Sequence, residues 1–401
     1  MPEVLWLVLL LLPVAAASGW YVRDRRDAMD KERSAPADTD YLRGIHYLVN
    51  DESDQAIESL VHLLEVSSET FEIHLALGQL FRRRGEVDRA LRVHENLIAR
   101  PALGREHRNQ ARHELARDYL CAGVLDRAEQ LFRELLDQDD YAARAMSGLL
   151  SIYEQEQDWT QAIEIARRLE RKQGHSLRPV IAQYHCELAE LARDEGRPEA
   201  MRRHLRRARS SYRHCVRASL LRGALAESSD DTRLAIRIYR QIVEQDSEFV
   251  SEVIAPLQRC HERRDDLQGY GVYLRELMRT TERVQPHVAH ARLLHAAGRT
   301  DEAIAHLSRY LQRHTNWIGF HELLELTRAG TDGGLTGPLE NLRQSLGHLM
   351  QSRSMYHCGH CGFSGRHLYW QCPGCRQWNS MVPMADVVPG QRPRPVSAVS
   401  D

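Results

Sequence analysis

Four cysteines near the carboxy terminus have the spacing of a metal site. Cys358 and Cys361 form one CxxC pair, Cys372 and Cys375 form a second, and ten residues separate the pairs. Four thiolates presented by two tight turns make a tetrahedral cage of soft ligands that suits zinc or iron. Because cysteine thiolates occupy all four coordination positions of the ion, no position is open for a substrate. The spacing therefore predicts a structural metal and not a catalytic one.

The segment around these cysteines is too short to bury much apolar surface, so the ion itself should hold it folded. Two CxxC pairs in a long chain indicate a metal site in a reducing compartment more than a disulfide framework. We expect His357, His360 and His367 to lie beside the cage or in solvent, since four sulfurs already complete it.

The other four cysteines lie singly in periodic apolar segments, and three of them adjoin a histidine. The adjacent pairs are His185-Cys186, His214-Cys215 and Cys260-His261, and the remaining cysteine is Cys121. Neighbouring residues on a helix project about 100° apart and do not converge on one ion. We therefore expect core or surface positions for these residues and not ligand roles.

The composition argues against an enzyme and against a nucleic-acid-binding protein. The 401 residues are 27% charged and 42% hydrophobic, as in a folded body. The 54 Lys and Arg nearly balance the 56 Asp and Glu, so the chain lacks the basic excess that nucleic acid requires. Only two lysines are present, Lys31 and Lys172, and no phosphate-loop, dinucleotide, serine-hydrolase or zinc-protease motif occurs. We expect no catalytic residues.

A repeat of about 34 residues fills most of the chain and must position the cysteine segment. Gly44 and Gly78 are 34 residues apart, and so are Ala56 and Ala90. Further copies have their last small residue at Ala128, Ala162, Ala200, Ala235, Gly269 and Ala303. Helical pairs with small residues where the backbones cross resemble the tetratricopeptide repeat. The pattern predicts an all-α superhelix of about eight repeats over residues 40–329, with a concave groove for a partner protein or, as the alternative, a spacer role.

The amino terminus predicts a membrane anchor. The uncharged run Val4–Val22 would span roughly 28 Å as a helix, which matches a bilayer core. A cleaved signal peptide is the alternative, because Ala15 to Ala17 resemble a cleavage site. However, only an acidic side chain, Glu3, precedes the run, and three arginines follow it within residues 23–26. Positive charge stays on the cytoplasmic side, so we expect a single-pass inner-membrane protein whose body lies in the cytoplasm.

The remaining segments complete the predicted domain organisation. Residues 1–22 form the anchor, 23–39 a juxtamembrane linker, 330–355 a hinge and helix, 356–385 the metal-binding module, and 386–401 a disordered tail. The module is rich in aromatic residues, which are Tyr356, Phe363, Tyr369, Trp370 and Trp378. So many rings cannot all fit inside it, and we expect them to pack on the end of the array around Trp317 and Phe320.

A basic segment interrupts the repeats. Residues 201–222 contain eight arginines, from Arg202 to Arg222, and no acidic residue. Such a run could bind an acidic partner, anionic lipid or, less plausibly, RNA, since a single aromatic, Tyr212, accompanies it. The simpler interpretation is a solvated helix face that pairs with the acidic residues Glu227, Asp230 and Asp231.

In this order, an amino-terminal anchor, a tetratricopeptide array and the terminal sequences CGHCGF and WQCPGC resemble the lipopolysaccharide assembly protein B (LapB) family. The resemblance runs from Leu5 to about Trp378. It implies an inner-membrane adaptor that limits lipopolysaccharide synthesis by promoting FtsH proteolysis of the deacetylase LpxC. It also implies contacts with lipopolysaccharide assembly proteins and with the membrane regulator YejM.

The resemblance further implies a rubredoxin-like site in which the four cysteines hold one iron ion, with zinc as the alternative. A rubredoxin knuckle usually has Gly after its second cysteine; Gly362 fits that pattern, and Arg376 departs from it. The departure weakens iron relative to zinc without changing the ligands. Two other classes of function stay open, a general tetratricopeptide scaffold of an envelope complex and an iron electron carrier, although no flavin or nicotinamide motif accompanies the site.

Overall fold

The computed structural model describes residues 68–384, except residue 102 and residues 331–336. The predicted anchor, linker, first repeat and carboxy-terminal tail lie outside these residues. Within them, no helix combines the length and the apolar character needed to cross a membrane.

Helices in consecutive pairs form most of the described chain. The pairs are α1 (Ser68–Arg83) with α2 (Val87–Ile98), α3 (Arg105–Ala122) with α4 (Leu125–Glu134), α5 (Asp139–Glu156) with α6 (Trp159–Gln173), α7 (Arg178–Asp194) with α8 (Pro198–Ser211), α9 (Val216–Ser228) with α10 (Thr232–Gln245), α11 (Val250–Glu262) with α12 (Leu267–Thr280), and α13 (Val284–Ala296) with α14 (Thr300–Leu311). A 3₁₀ turn, Ser247–Phe249, precedes α11. Helices α1–α4 belong to one compact unit that ends at Leu135, and the elements from α5 onward belong to a second.

Small residues allow the two helices of a pair to approach closely. Ala90, Ala128 and Ala162 are fully buried, as the repeat pattern requires. A Cβ atom on Gly78 would collide with the imidazole ring of His94 on the partner helix. These positions confirm the predicted helical repeats in the described part of the chain.

The last elements carry the chain from the repeats to the cysteines. Helix α15 (Trp317–Gly330) packs against α14, and α16 (Gly337–Ser352) packs against α15. The predicted helix after the hinge is therefore present as α16. An ion pair of 2.6 Å between Arg343 on α16 and Glu325 on α15 links these two helices.

The terminal module corrects the all-α prediction, because it contains a three-stranded antiparallel sheet. The strands β1 (Tyr356–Cys358), β2 (Ser364–Gly365) and β3 (Met381–Pro383) lie in the order β2-β1-β3. These strands are only two or three residues long and lack the alternation that would predict them from sequence. The chain is thus mostly helical, with a small β module at its end.

Candidate metal centre and its docking surface

The four cysteine sulfurs lie at separations that one tetrahedral ion requires. The Sγ atoms of Cys358 and Cys375 are 3.7 Å apart, as are those of Cys361 and Cys372, and all four lie within 4.8 Å of one another. Bonds of about 2.3 Å to a tetrahedral zinc ion separate sulfur ligands by about 3.8 Å. A disulfide would bring two sulfurs to about 2.05 Å. The donor set therefore fits a tetrahedral ion, and its geometry suits iron and zinc alike.

The two cysteine turns have the same backbone hydrogen bonds. In the first, the Gly362 N–H donates to the Cys358 carbonyl at 3.0 Å, and the Cys358 N–H donates to the Phe363 carbonyl at 2.7 Å. The equivalent bonds around Cys372 are 2.8 and 3.0 Å long. Each CxxC sequence thus folds into one knuckle, and the pair presents four sulfurs to a common centre.

Hydrogen bonds also prepare one thiol for ionisation. Burial raises the pKa of Cys358, but the amides of His360 and Cys361 donate to its sulfur at 3.4 and 3.5 Å, and the polar Ser380 hydroxyl lies 3.3 Å from it. These donors outweigh burial and lower the pKa of the Cys358 thiol to about 6. Since the thiolate is the form that binds metal, these contacts favour loading at neutral pH.

Backbone strain distinguishes the two knuckles. Gly362 has φ +77° and Arg376, at the equivalent position, has φ +58°. The left-handed region costs a residue with a side chain about 1–2 kcal/mol, whereas glycine adopts it freely. The Arg376 side chain is exposed and has no ion pair among the described residues, so nothing visible offsets this cost.

We expect Arg376→Gly to stabilise the metal-loaded module and Gly362→Ala to destabilise it. The gain at Arg376 should stay below about 1 kcal/mol, because glycine also loses about 0.5–1 kcal/mol of conformational entropy on folding. Alanine at Gly362 should cost about 1 kcal/mol or more, because it acquires the left-handed strain. The measurement is the temperature at which a chelator extracts the metal, and easier extraction from Arg376→Gly would contradict this expectation.

No histidine joins the four sulfurs. His357 lies in β1 and is buried, and its Nδ1 atom has no hydrogen-bond partner among the described residues, while His360 and His367 are exposed. Among the described residues, no other group of three or more His, Cys, Asp or Glu side chains converges in this way. Cys186 and Cys215 are buried in the repeat core, as expected for small apolar side chains.

Trp378 is the most buried of the module's aromatic residues, and it packs on the repeats. Its ring is 8% exposed and meets Trp159 and Tyr184 edge-on, with ring centroids 6.0 and 5.7 Å away. Its Nε1–H donates to Glu154 Oε1 at 2.8 Å, and the Gln371 amide donates to the other oxygen of Glu154 at 3.3 Å. A tryptophan buried with its N–H satisfied in this way is a typical interface anchor.

Trp370 is a second anchor on the same face. Its ring stacks on Phe249 at 5.8 Å, and the guanidinium of Arg217 lies 5.9 Å from its centre. Arg217 is almost fully buried and pairs with Glu187 and Glu190 of α7 at 2.7 and 2.9 Å. These pairs compensate the buried charge and hold the guanidinium over the indole.

Polar contacts fix the edges of the module. They join Tyr356 to Glu252, Asn379 to Gln183, and the Met384 carbonyl to Arg283. The first of these is an O–H···O bond of 2.9 Å. The contacts on the repeat side come from α5, α7, α11 and the residue before α13, so the module is held by several helix pairs at once.

The structure confirms docking of the module on the repeats but shows that the predicted place, around Trp317 and Phe320, is wrong. Trp317 instead lies under Arg353, whose guanidinium carbon is 3.5 Å from the ring centre, and Phe320 is 39% exposed. The docking face lies earlier in the chain, where Trp159 and Tyr184 form aromatic walls beside the carboxylate of Glu154. Along the chain, helix α16, about 24 Å long at 1.5 Å per residue, connects the last array helix to the module.

The prediction that the basic segment pairs with Glu227, Asp230 and Asp231 is also wrong. Glu227 binds Arg259 and Arg263, which lie outside the segment. Neither aspartate forms an ion pair within the described residues. Asp231 instead accepts a hydrogen bond from the Leu234 N–H at the start of α10. Asp231 thus caps a helix, and Glu227 pairs with arginines of a neighbouring repeat, although both lie close to the basic segment in sequence.

Comparisons with known proteins agree with both the metal module and the helical repeats. The model of the rubredoxin metal binding domain matches residues 356–383, and tetratricopeptide repeat models match residues 73–108, 113–176 and 186–248. Lipopolysaccharide assembly protein B of Escherichia coli (strain K12) is 33% identical over 382 residues, covering 94% of this chain and 98% of that protein. The protein of the same name from Haemophilus influenzae is 33% identical over 390 residues, covering 95% and 98%.

Helical repeats with a docked four-cysteine module define a tetratricopeptide-repeat protein with a rubredoxin-type metal-binding domain. The identity extends over nearly the whole of both chains and not over the repeats alone. The chain belongs to the lipopolysaccharide assembly protein B family. This confirms the resemblance drawn from the order of anchor, repeats and knuckles.

Proposed function

We propose that this chain is a non-catalytic adaptor in lipopolysaccharide assembly. The observation that carries the proposal is its 33% identity, over 94% of its length, to a protein named for that process. Helical repeats commonly bind partner proteins, and their number here supports an extended binding surface. The near balance of acidic and basic residues supports protein partners over nucleic acid.

The metal module has a structural role in this proposal. Cys358, Cys361, Cys372 and Cys375 would hold one iron or zinc ion, which cross-links the two knuckles. All ligands come from the protein, so the centre has no position for a substrate. The ion thereby maintains the surface that carries Trp370 and Trp378 onto the repeats.

The regulatory part of the proposal follows from the family resemblance. The adaptor would bring LpxC to the FtsH protease at the cytoplasmic face of the inner membrane, and would also contact YejM and lipopolysaccharide assembly proteins. Deleting the gene should then lengthen the lifetime of LpxC, measured by immunoblotting after protein synthesis is stopped. Unchanged LpxC decay with defective lipopolysaccharide assembly would contradict this role and favour a general envelope scaffold.

An electron carrier is the second candidate, because a four-sulfur cage also suits a redox-active iron. That function requires visible absorbance and a reversible potential in the purified protein. It also requires that protein loaded with zinc be inactive, since zinc has no redox chemistry. A zinc-loaded protein that restores normal LpxC decay would exclude this candidate.

Removing Met1 to Val22 should leave a folded repeat body that no longer regulates LpxC. Two membrane-confined partners meet at a much higher effective concentration than a free protein and an anchored one. The measurement compares LpxC lifetime with the full chain and with the truncated chain at equal abundance. Full activity of the truncated chain would contradict both the anchor and its proposed purpose.

A further inference from the structure

A cleft of about 520 Å³ lies between α6, α7 and α8, and none of its lining residues belongs to the metal module. Its lining includes the basic and neutral polar residues Arg167, Arg171, Arg207, His185, His204 and Thr160, and the acidic residue Glu164. The apolar side chains of Ile163 and Leu188 complete the wall. One of the arginines, Arg207, belongs to the basic segment, and a neighbouring hollow continues along the same helix past Arg203 and Arg206.

The arginines of this cleft carry uncompensated charge. Among the described residues, none of the three forms an ion pair; Arg171 only donates to the Arg167 carbonyl, at 3.3 Å. The lining includes a single acidic residue, Glu164, which is exposed and is likewise unpaired within the described part. Three arginines and one glutamate leave the cleft a positive excess equivalent to two charges, which no ion pair among the described residues neutralises.

His185 provides an independent indication of a ligand. Its side chain is 3% exposed, yet neither ring nitrogen has a hydrogen-bond partner among the described residues. An unsatisfied buried polar group costs about 1–3 kcal/mol, so such groups in a concave site call for a partner from outside. Burial, followed by the charges of His204, Arg167 and Arg207, lowers the pKa of His185 to about 4. The imidazole is thus neutral at pH 7 and has one N–H to donate.

We propose that this cleft binds the dianionic phosphate of a phosphate monoester. A carboxylate can be satisfied by one guanidinium, whereas three arginines around one hollow match the several oxygens and double charge of a phosphate. The buried imidazole N–H of His185 and the hydroxyl of Thr160 supply neutral donors in the same cleft. Ile163 and Leu188 lie where the carbon part of an ester can pack.

The test is a calorimetric titration of the full metal-loaded chain in phosphatidylcholine nanodiscs with glycerol 3-phosphate. We expect saturable binding at one site, weakened about tenfold or more by Arg207→Gln and by Arg167→Gln, because charge-assisted hydrogen bonds are lost. Both arginines are exposed, so the fold should survive, and helical melting checks this. The matched control is Arg237→Gln, an exposed arginine on α10 outside the cleft, which should change affinity less than about twofold.

Discs that also contain phosphatidic acid separate the two sources of such a phosphate. Loss of the titratable site in those discs would support the proposal and identify a lipid headgroup as the occupant. Unchanged binding of glycerol 3-phosphate in those discs would support the proposal and identify a soluble phosphate monoester as the occupant. Absence of saturable binding in phosphatidylcholine discs would overturn the proposal, as would equal weakening by Arg207→Gln and Arg237→Gln.

Discussion

Replacing Cys372 with Ser should remove the metal ion and lengthen the lifetime of LpxC while the helical signal of the repeats persists. Cys372 is buried, and its sulfur lies 3.7 Å from that of Cys361 in the cage. Structural zinc contributes about 10–16 kcal/mol to the folding of small metal domains at pH 7, so loss of a ligand should unfold the module. The measurements are metal content, circular dichroism and LpxC decay in the same variant.

The matched control for this variant is Cys121→Ser, which changes an exposed cysteine outside the module. We expect Cys121→Ser to retain the metal and normal LpxC decay. Unchanged LpxC decay in a Cys372→Ser protein shown to lack metal would refute a role for the module. If LpxC stops decaying in the Cys372→Ser protein while the metal is still bound and the module is still docked, the sulfurs act directly.

Replacing Trp378 with Ala should release the module from the repeats while the metal stays bound. The ring meets the stacked pair Trp159 and Tyr184 edge-on and donates to Glu154, so its removal should cost about 3–5 kcal/mol of docking. The four ligands do not depend on the indole, so metal content should not change. The measurement is the rate of proteolysis after Met355, together with LpxC decay, and both cleavage and LpxC lifetime should increase.

Tyr369→Ala is the matched control, because Tyr369 is an exposed aromatic residue of the same module. Its ring neighbours are Phe363 and His367, both within the module. This variant should keep the wild-type rate of proteolysis and normal LpxC decay. A Trp378→Ala protein as resistant to protease as Tyr369→Ala would contradict the docking role of Trp378.

The metal ligands and the repeats could be predicted from sequence because both depend on local spacing. The sulfurs of one knuckle are three residues apart, and the repeat brings small residues such as Ala90 and Ala128 to the same helical phase. The docking face could not be predicted in this way. The Trp378 and Glu154 side chains that meet there lie 224 residues apart in the chain. Their contact depends on how the repeats stack, which no local pattern encodes.

The ion-pair partners of the basic segment also depend on how the repeats stack. Proximity in sequence suggested partners just after the segment, but Arg217 pairs with Glu187 and Glu190, 30 and 27 residues earlier. These carboxylates lie on α7 and Arg217 on α9, the first helices of successive pairs, which are neighbours in space. A search along the first helix of the preceding pair would have found these two carboxylates. Arg167, Arg171 and Arg207, which line the cleft, have no such partner among the described residues, and their unpaired charge supports the proposed phosphate site.

The most direct test of the adaptor role is co-purification of the full chain from membranes after mild crosslinking, with its partners identified by mass spectrometry. We expect FtsH and LpxC together on the wild-type chain, and loss of at least one of them from the Trp378→Ala variant at equal abundance and metal content. Recovery of envelope proteins without either FtsH or LpxC from the wild-type chain would contradict the adaptor role.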